Sequence, residues 1–192
     1  VTMPFGLFST FGLATAAGLN AYVPLLIVGL LARYTDLVTL NPPYDLLRHP
    51  AVLIGIAILA VLDFVADKIP GLDHALHVAG LVIHPTAGIL LALAADSSAG
   101  GVHPVLAAIC GLVLAGGTHG ARAAVRPAAT VTTGGLMNPV VSFVEDAVSG
   151  TLAVLAILLP VLAFALVLLV VVWTVRRLVR FFRRDKTSVL AR

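Results

Sequence analysis

The residues best suited to chemistry lie in two polar stretches between apolar runs that are long enough to enter a membrane. The first stretch, residues 63–85, contains three aspartates, one lysine and three histidines. The second runs from His119 to Asp146. An ionisable side chain at the centre of a membrane helix costs roughly 2.5–3.5 kcal/mol on insertion. Such groups are retained where they pair, face water or take part in function, so both stretches are candidate sites.

Carboxylates and basic side chains form the main candidate set. Asp63 and Asp67 lie four residues apart, so they share one face of a helix. One hypothesis is structural, with ion pairs that hold the helices together. Examples are Asp67 with Arg122 and Lys68 with Glu145. The other hypothesis is an ion or proton pathway, in which a carboxylate alternates between its charged and protonated forms. The candidates for a binding site or charge network are Asp63, Asp67, Lys68, His84, His119, Arg122, Arg126, Asn138, Glu145 and Asp146.

The histidines form a second set. His74 and His77 have the H-x-x-H spacing that could place two imidazoles on one metal ion. The partner residues of an H-E-x-x-H or paired-cysteine site are missing, so these two are weak metal candidates and no cofactor is predicted. His84 and His119 could relay protons, because histidine titrates near physiological pH. The alternative is that all four only form hydrogen bonds. Cys110 is the sole cysteine, which excludes an internal disulfide.

Composition places these residues in a membrane protein. Of the 192 residues, 60% are hydrophobic and 11% are charged, and the mean hydropathy is +1.09. Soluble domains are about half apolar and about a quarter charged. Because a transmembrane helix needs about 20 residues, the length predicts an all-α polytopic bundle of five or six spans. Residues 1–175 would form a single transmembrane domain.

The first apolar run, residues 5–33, is too long for one simple span. As a straight helix it would reach about 43 Å, against a hydrocarbon core of about 30 Å. Gly18, Asn20 and Pro24 lie in its middle and predict a helix that is broken or re-entrant at membrane depth. Such breaks are tolerated where the backbone lines a cavity or is buried in protein. A kinked helix with a hydrogen-bonded Asn20 is the alternative.

An internal repeat is predicted from a shift of 54 positions without gaps. The shift superimposes His49-Pro50 on His103-Pro104, and His84-Pro85 on Asn138-Pro139. The predicted repeat units are residues 49–95 and 103–149. Pro85 and Pro139 are expected to break their helices, since proline cannot donate an intrahelical hydrogen bond. Repeats of this kind often build a transporter around a central site, although other membrane folds also contain them.

The C-terminal part combines a long apolar run with a basic tail. Residues 151–175 contain no charge and predict one span that Pro160 kinks. Seven of the twelve Lys and Arg residues follow Trp173, within the tail 176–192. By the positive-inside rule this tail is cytoplasmic. Basic residues next to a span contact anionic lipid headgroups more often than nucleic acid, so lipids are the predicted partners. A homo-oligomer is compatible with the sequence.

Five blocks in fixed order resemble an uncharacterised bacterial membrane family, the domain-of-unknown-function family four-one-two-six. The blocks are GLNAYVPLL, DKIPGLDH, HPTAG, THGARAAVR and NPVVSFVED. The similarity extends from about Gly18 to the last span. It implies a multi-pass protein of the bacterial inner membrane, and it transfers no catalytic or binding residue.

Three functional hypotheses follow. The first is a transporter or channel for a small ion or solute, with a polar site inside the membrane. The second is a structural or accessory membrane protein whose charges only hold the helices together. The third is a membrane-embedded enzyme that modifies a lipid or isoprenoid, with His74, His77 and Asp63 as candidate metal ligands. The enzyme is the least supported, since no nucleophile or phosphate-loop motif is present.

Overall fold

The computed structural model of the chain describes residues 6–66, 72–99, 103–133 and 137–189. Every regular element among them is helical, which confirms the all-α prediction. The elements are α1 (Gly6–Leu19), α2 (Tyr22–Tyr34), a short 3-10 helix (Tyr44–Arg48), α3 (Pro50–Ala66), α4 (Leu72–Ala99), α5 (Pro104–Thr133), α6 (Asn138–Leu158) and α7 (Pro160–Val189).

Four of these helices are long and apolar enough to cross a membrane. The candidate spans are Val78–Ser97, Pro104–Val125, Asn138–Leu158 and Pro160–Arg177. Each has at least 18 residues and therefore reaches about 27 Å or more. Large apolar side chains point outward, as Val82 and Leu169 do with exposed fractions of 68% and 67%. An outer surface of this kind requires lipid as its solvent, so the protein is a membrane-embedded helical bundle.

Helices α1 and α2 form a hairpin whose arms are too short to cross. They have 14 and 13 residues, or about 20 Å each. Thr10 in the first half of α1 donates a hydrogen bond to the Ala92 carbonyl of α4 (3.4 Å), while Ala17 near the end of α1 contacts His84. After α2 the chain returns to the C-terminal end of α4, where Asn41 Nδ2 donates to the Ser97 carbonyl at 2.7 Å. The start of α1 and the loop that follows α2 therefore both lie near the C-terminal end of α4.

The turn of this hairpin confirms the helix break predicted from Gly18, Asn20 and Pro24. Helix α1 ends at Leu19 and α2 begins at Tyr22. Pro24 lies in the first turn of α2, where its missing N–H leaves no intrahelical acceptor unsatisfied.

The antiparallel helices α4 and α5 pack closely and form the surface against which α1 lies. A Cβ atom added to Gly88 would lie 2.7 Å from the Gly111 carbonyl oxygen, and one added to Gly111 would lie 2.5 Å from the Gly88 carbonyl oxygen. Only glycine allows two backbones to approach so closely. Gly18 of α1 has the same role against α5, since its added Cβ would lie 2.5 Å from the Ala115 carbonyl oxygen.

Two expectations about prolines are wrong. Helix α4 continues through Pro85 instead of breaking there. Helix α4 packs against both α1 and α5, and tertiary packing of this kind can offset the cost of an interior proline, which is about 3 kcal/mol. Conversely, residues 151–175 are not one kinked helix, because α6 ends at Leu158 and α7 begins at Pro160. Leu159 has the non-helical angles φ −135° and ψ 63°, as the steric demand of a following proline favours. Pro139 lies in the first turn of α6 and so marks a helix boundary as expected.

The internal repeat stays a prediction. His49 and His103, which the shift of 54 positions superimposes, make the same cap: each Nδ1 accepts the N–H of the residue two positions later at 3.3 Å. Downstream the helix boundaries differ, because His84-Pro85 lies inside α4 whereas Asn138-Pro139 begins α6.

Candidate functional site

The tip of the hairpin is organised by one amide side chain. Asn20 Oδ1 accepts hydrogen bonds from the backbone N–H groups of Tyr22 (2.8 Å) and Val23 (3.0 Å). These are two of the four N–H groups that a helix start leaves without intrahelical partners, so Asn20 caps α2. Its Nδ2 donates to Asp146 Oδ1 of α6 at 2.8 Å. A single residue thus closes the hairpin and ties it to a spanning helix.

Side chains from three other helices cover the carbonyl groups at the end of α1. His84 Nδ1 of α4 lies 2.7 Å from the Ala17 oxygen. Arg122 Nη1 of α5 donates to the Leu19 oxygen at 2.7 Å. Ser149 Oγ of α6 donates to the oxygen of Ala16 at 2.9 Å. A helix C-terminus carries partial negative charge, which basic side chains stabilise. The surrounding spans therefore satisfy the end of α1 in place of water.

A buried ion pair lies beside this terminus. Arg122 Nε is 2.6 Å from Glu145 Oε2, and the two side chains are only 6% and 15% exposed. The sequence suggested Asp67 and Lys68 as their partners. Both of these lie outside the described residues, and the structure pairs Arg122 and Glu145 with each other. Such a pair is costly to desolvate, and removal of one partner strands the other charge.

Two histidines stack next to the ion pair. The rings of His84 and His119 have centroids 4.2 Å apart and an interplanar angle of 24°. Because a carbonyl only accepts, His84 Nδ1 carries the hydrogen it donates to Ala17. Gly80 makes room for the stack, since a Cβ there would lie 2.7 Å from His119 Cε1.

The cluster lies within the candidate spans rather than at their ends. His84 is six residues from one end of the span Val78–Ser97 and thirteen from the other, or about 9 Å and about 20 Å. Asp146 is eight and twelve residues from the ends of Asn138–Leu158, or about 12 Å and about 18 Å. We call Asn20, His84, His119, Arg122, Ser149, Glu145 and Asp146 the tip cluster.

Other predicted residues lie elsewhere. Asp63 is half-buried on α3 and interacts electrostatically with Tyr22 at the start of α2. Asn138 begins α6, two turns before the acidic pair. The side chains of His74, His77 and Arg126 lie outside the described part of the chain. Among the residues that the structure describes, no group of three His, Cys, Asp or Glu could hold a metal ion.

Sequence reasoning did not assign the capping of α1 to particular residues. Ser149 was recognisable only as part of the polar face of α6, and its acceptor is a backbone carbonyl, which no side-chain pattern reveals. Gly80 was likewise unassigned. A glycine one helical turn before His84 was the one available signal, because a missing side chain leaves space for a ring.

Substitutions at Asn20 should separate its two hydrogen-bonding roles. Asn20→Ala removes the cap of α2, worth about 1 kcal/mol, and also removes the donor to Asp146. Asn20→Asp keeps an acceptor for the cap but places a second carboxylate against Asp146, so we expect it to destabilise at least as much as alanine. Asn41→Ala, which removes an exposed loop hydrogen bond, is the control. Chemical denaturation in detergent micelles measures all three. Full stability of Asn20→Asp would contradict the assigned contacts.

The fold and the tip cluster define a class, a membrane-embedded helical bundle with a short helical hairpin whose polar tip lies among the spans. Within that class the chain belongs to the family described as Domain of unknown function (DUF4126), whose model matches residues 7–180. No curated protein and no solved structure is significantly similar to the chain.

Proposed function

We propose that the protein is a transporter or channel for a small ion or solute that binds at the tip cluster. One observation carries the proposal: the hairpin turn at Asn20 brings the end of α1 and the start of α2 together within the depth of the candidate spans. Discontinuous helices at this depth are a recurrent way to build transport sites, because their termini present backbone dipoles to a substrate.

The charges around the tip suit an ionic substrate. Glu145 and Asp146 supply carboxylates that could bind a cation or a proton, and Arg122 balances their charge or meets an anion. The C-terminal end of α1 and the N-terminal end of α2 lie beside these side chains, so the dipoles of both helices contribute to the electrostatic potential at the site. The hydrogen bonds of Asn20 and Arg122 hold the tip against α6 and α1.

A structural role is the principal alternative, because the tip residues also bond to one another. The two roles differ in what neutral substitutions do. If the cluster only holds helices together, the neutral pair Arg122→Gln with Glu145→Gln recovers stability and phenotype together, because it strands no charge. If the cluster binds a substrate, the pair recovers stability but not phenotype, since the site has lost its charges.

Reconstituted liposomes test the proposal. We expect wild-type protein to conduct at least one species in a panel of cations, anions and protons driven by imposed gradients. Glu145→Gln and Asp146→Asn should each slow this flux by about tenfold or more, because a hydrogen bond to a charged group is worth roughly 1.5–3 kcal/mol. Asp36→Asn, in the loop after α2, is the matched control and should leave the flux unchanged, because Asp36 is exposed and lies outside the tip cluster.

Absence of flux for every species, with protein shown to be folded by its helical circular dichroism, would contradict transport. Equal flux in wild type, Glu145→Gln and Asp146→Asn would contradict the assigned site.

The proposal extends to the membrane and its sidedness. Helix α7 continues beyond its candidate span, and Arg177 lies 5.1 Å from the Trp173 ring centroid, a pairing suited to the headgroup region. We place the tail 176–192 on the cytoplasmic side of the bacterial inner membrane, where its basic residues meet anionic lipids.

A further inference from the structure

A cavity separate from the tip cluster lies at the opposite end of the hairpin. It is open to the surface, has a volume of about 530 Å³ and is bordered by the last turn of α2, the 3-10 helix and the start of α3. Its charged and polar lining includes Arg33, Asp45, Arg48 and His49. The volume is in the range of ligand-binding pockets, roughly 300–1,000 Å³.

The polar groups of this cavity favour an anion. Arg33 Nη1 donates to the Arg48 backbone oxygen at 3.1 Å, which anchors one guanidinium at the rim. A guanidinium has five N–H groups, so Arg33 retains further donors for a ligand. Arg48 contributes a second guanidinium. His49 Nδ1 accepts the Ala51 N–H at 3.3 Å, so a neutral His49 ring carries its hydrogen on Nε2 as a further donor. Asp45 is the opposing carboxylate, which leaves two positive charges against one.

An exposed apolar stripe begins at the same cavity. Pro50 lines the cavity and starts α3. Ile54, Ile58, Val61 and Val65 follow at helical spacing on the face of Pro50, and their exposed fractions range from 49% to 61%. The stripe is about 22 Å long at 1.5 Å per residue, comparable with most of the hydrocarbon core. A ligand seated here meets cationic donors at one end and a long apolar surface below.

We propose that this cavity binds the phosphate-bearing headgroup of an anionic phospholipid whose acyl chains lie along the α3 stripe. Two guanidinium groups match the geometry and charge of a phosphate diester. The apolar stripe distinguishes a lipid from a soluble phosphate, which would gain nothing from it. This inference rests on membrane embedding and stands independently of the transport proposal.

Lipid titration of the detergent-solubilised full chain, followed by native mass spectrometry, tests the site. The probes are phosphatidylglycerol and phosphatidylcholine with identical acyl chains, and the variants are Arg48→Gln, Arg33→Gln and Ile58→Ser. Arg180→Gln on α7 is the matched control, an exposed arginine away from the cavity. We expect wild type to bind phosphatidylglycerol about tenfold more tightly than phosphatidylcholine. The two lipids share the phosphate diester, but the choline cation of phosphatidylcholine is repelled by the guanidinium groups of Arg33 and Arg48. Arg48→Gln should remove most of that preference, and Arg180→Gln should keep it.

Three results would overturn the inference. The first is an unchanged preference in both Arg48→Gln and Arg33→Gln. The second is an equal loss in Arg180→Gln, which would place the lipid on α7. The third is a combined result: glycerol phosphate displaces phosphatidylglycerol at equal concentration, and Ile58→Ser does not change lipid binding. That result would make the cavity a site for a soluble phosphate. Retained helical circular dichroism of each variant shows that the loss is not one of folding.

Discussion

Replacement of Arg122 by glutamine is expected to lower the free energy of unfolding by about 3–5 kcal/mol, the cost of stranding one charge of a buried pair. Arg122 is 6% exposed in its side chain and joins two elements, since Nε contacts Glu145 and Nη1 donates to the Leu19 oxygen. Glutamine can replace at most one of these contacts. Denaturation in detergent micelles or bicelles, followed by circular dichroism, measures the loss.

A double substitution separates the charge from the contacts. Arg122→Gln combined with Glu145→Gln leaves no stranded carboxylate, so we expect it to recover part of the stability lost in the single variant. Arg177→Gln is the control, because Arg177 is exposed beside Trp173 and should change stability by at most about 0.5 kcal/mol. If Arg122→Gln costs no more than Arg177→Gln, the buried pair does not form as described.

Replacement of Gly111 by alanine is expected to destabilise the bundle by about 1–3 kcal/mol through overpacking. The new Cβ would lie 2.5 Å from the Gly88 carbonyl oxygen and 2.8 Å from the Ile89 Cα, and both neighbours are backbone atoms. No side chain can rotate away, so α4 and α5 must separate. That separation also moves His84 from His119, and we expect flux to fall together with stability.

Gly117 provides the matched control on the same helix. A Cβ at Gly117 meets no atom within 4 Å, so Gly117→Ala adds only the greater helix propensity of alanine, up to about 1 kcal/mol. Gly111→Ala should therefore lower the thermal midpoint, and Gly117→Ala should raise it. Equal midpoints for Gly111→Ala and Gly117→Ala would show that the close approach of α4 and α5 is wrong.

The architecture and the polar positions could be predicted from the sequence because they depend on local signals. Runs of apolar residues required lipid, and Asn20 with Gly18 and Pro24 gave the helix break. The acidic and basic positions of the tip cluster were also recognisable, since charge inside an apolar chain is rare. These features follow from composition and from neighbours within a turn or two.

The contacts that build the site could not be predicted in the same way. Asn20 and Asp146 are 126 positions apart, and their meeting depends on how five helices pack. The bond of Arg122 to a backbone carbonyl depends on where α1 ends in space. Pro85 was misjudged because tertiary packing outweighed its local preference, and Pro160 because one apolar run can contain two helices. Nearly uniform apolar helices give little indication of which face is inside.

The proposed transport requires that water reach the tip cluster at the depth of the candidate spans. Ser142 on α6 is 3% exposed and precedes Glu145 by one turn. In a Cys110→Ser background, Ser142→Cys should react with a hydrophilic, membrane-impermeant thiol reagent, because transport requires the cluster to open to water. Ser9→Cys, buried at 0% exposure on α1 away from the cluster, should stay unmodified. Protection of Ser142→Cys to the same extent as Ser9→Cys in folded protein would contradict the account and favour a sealed structural core.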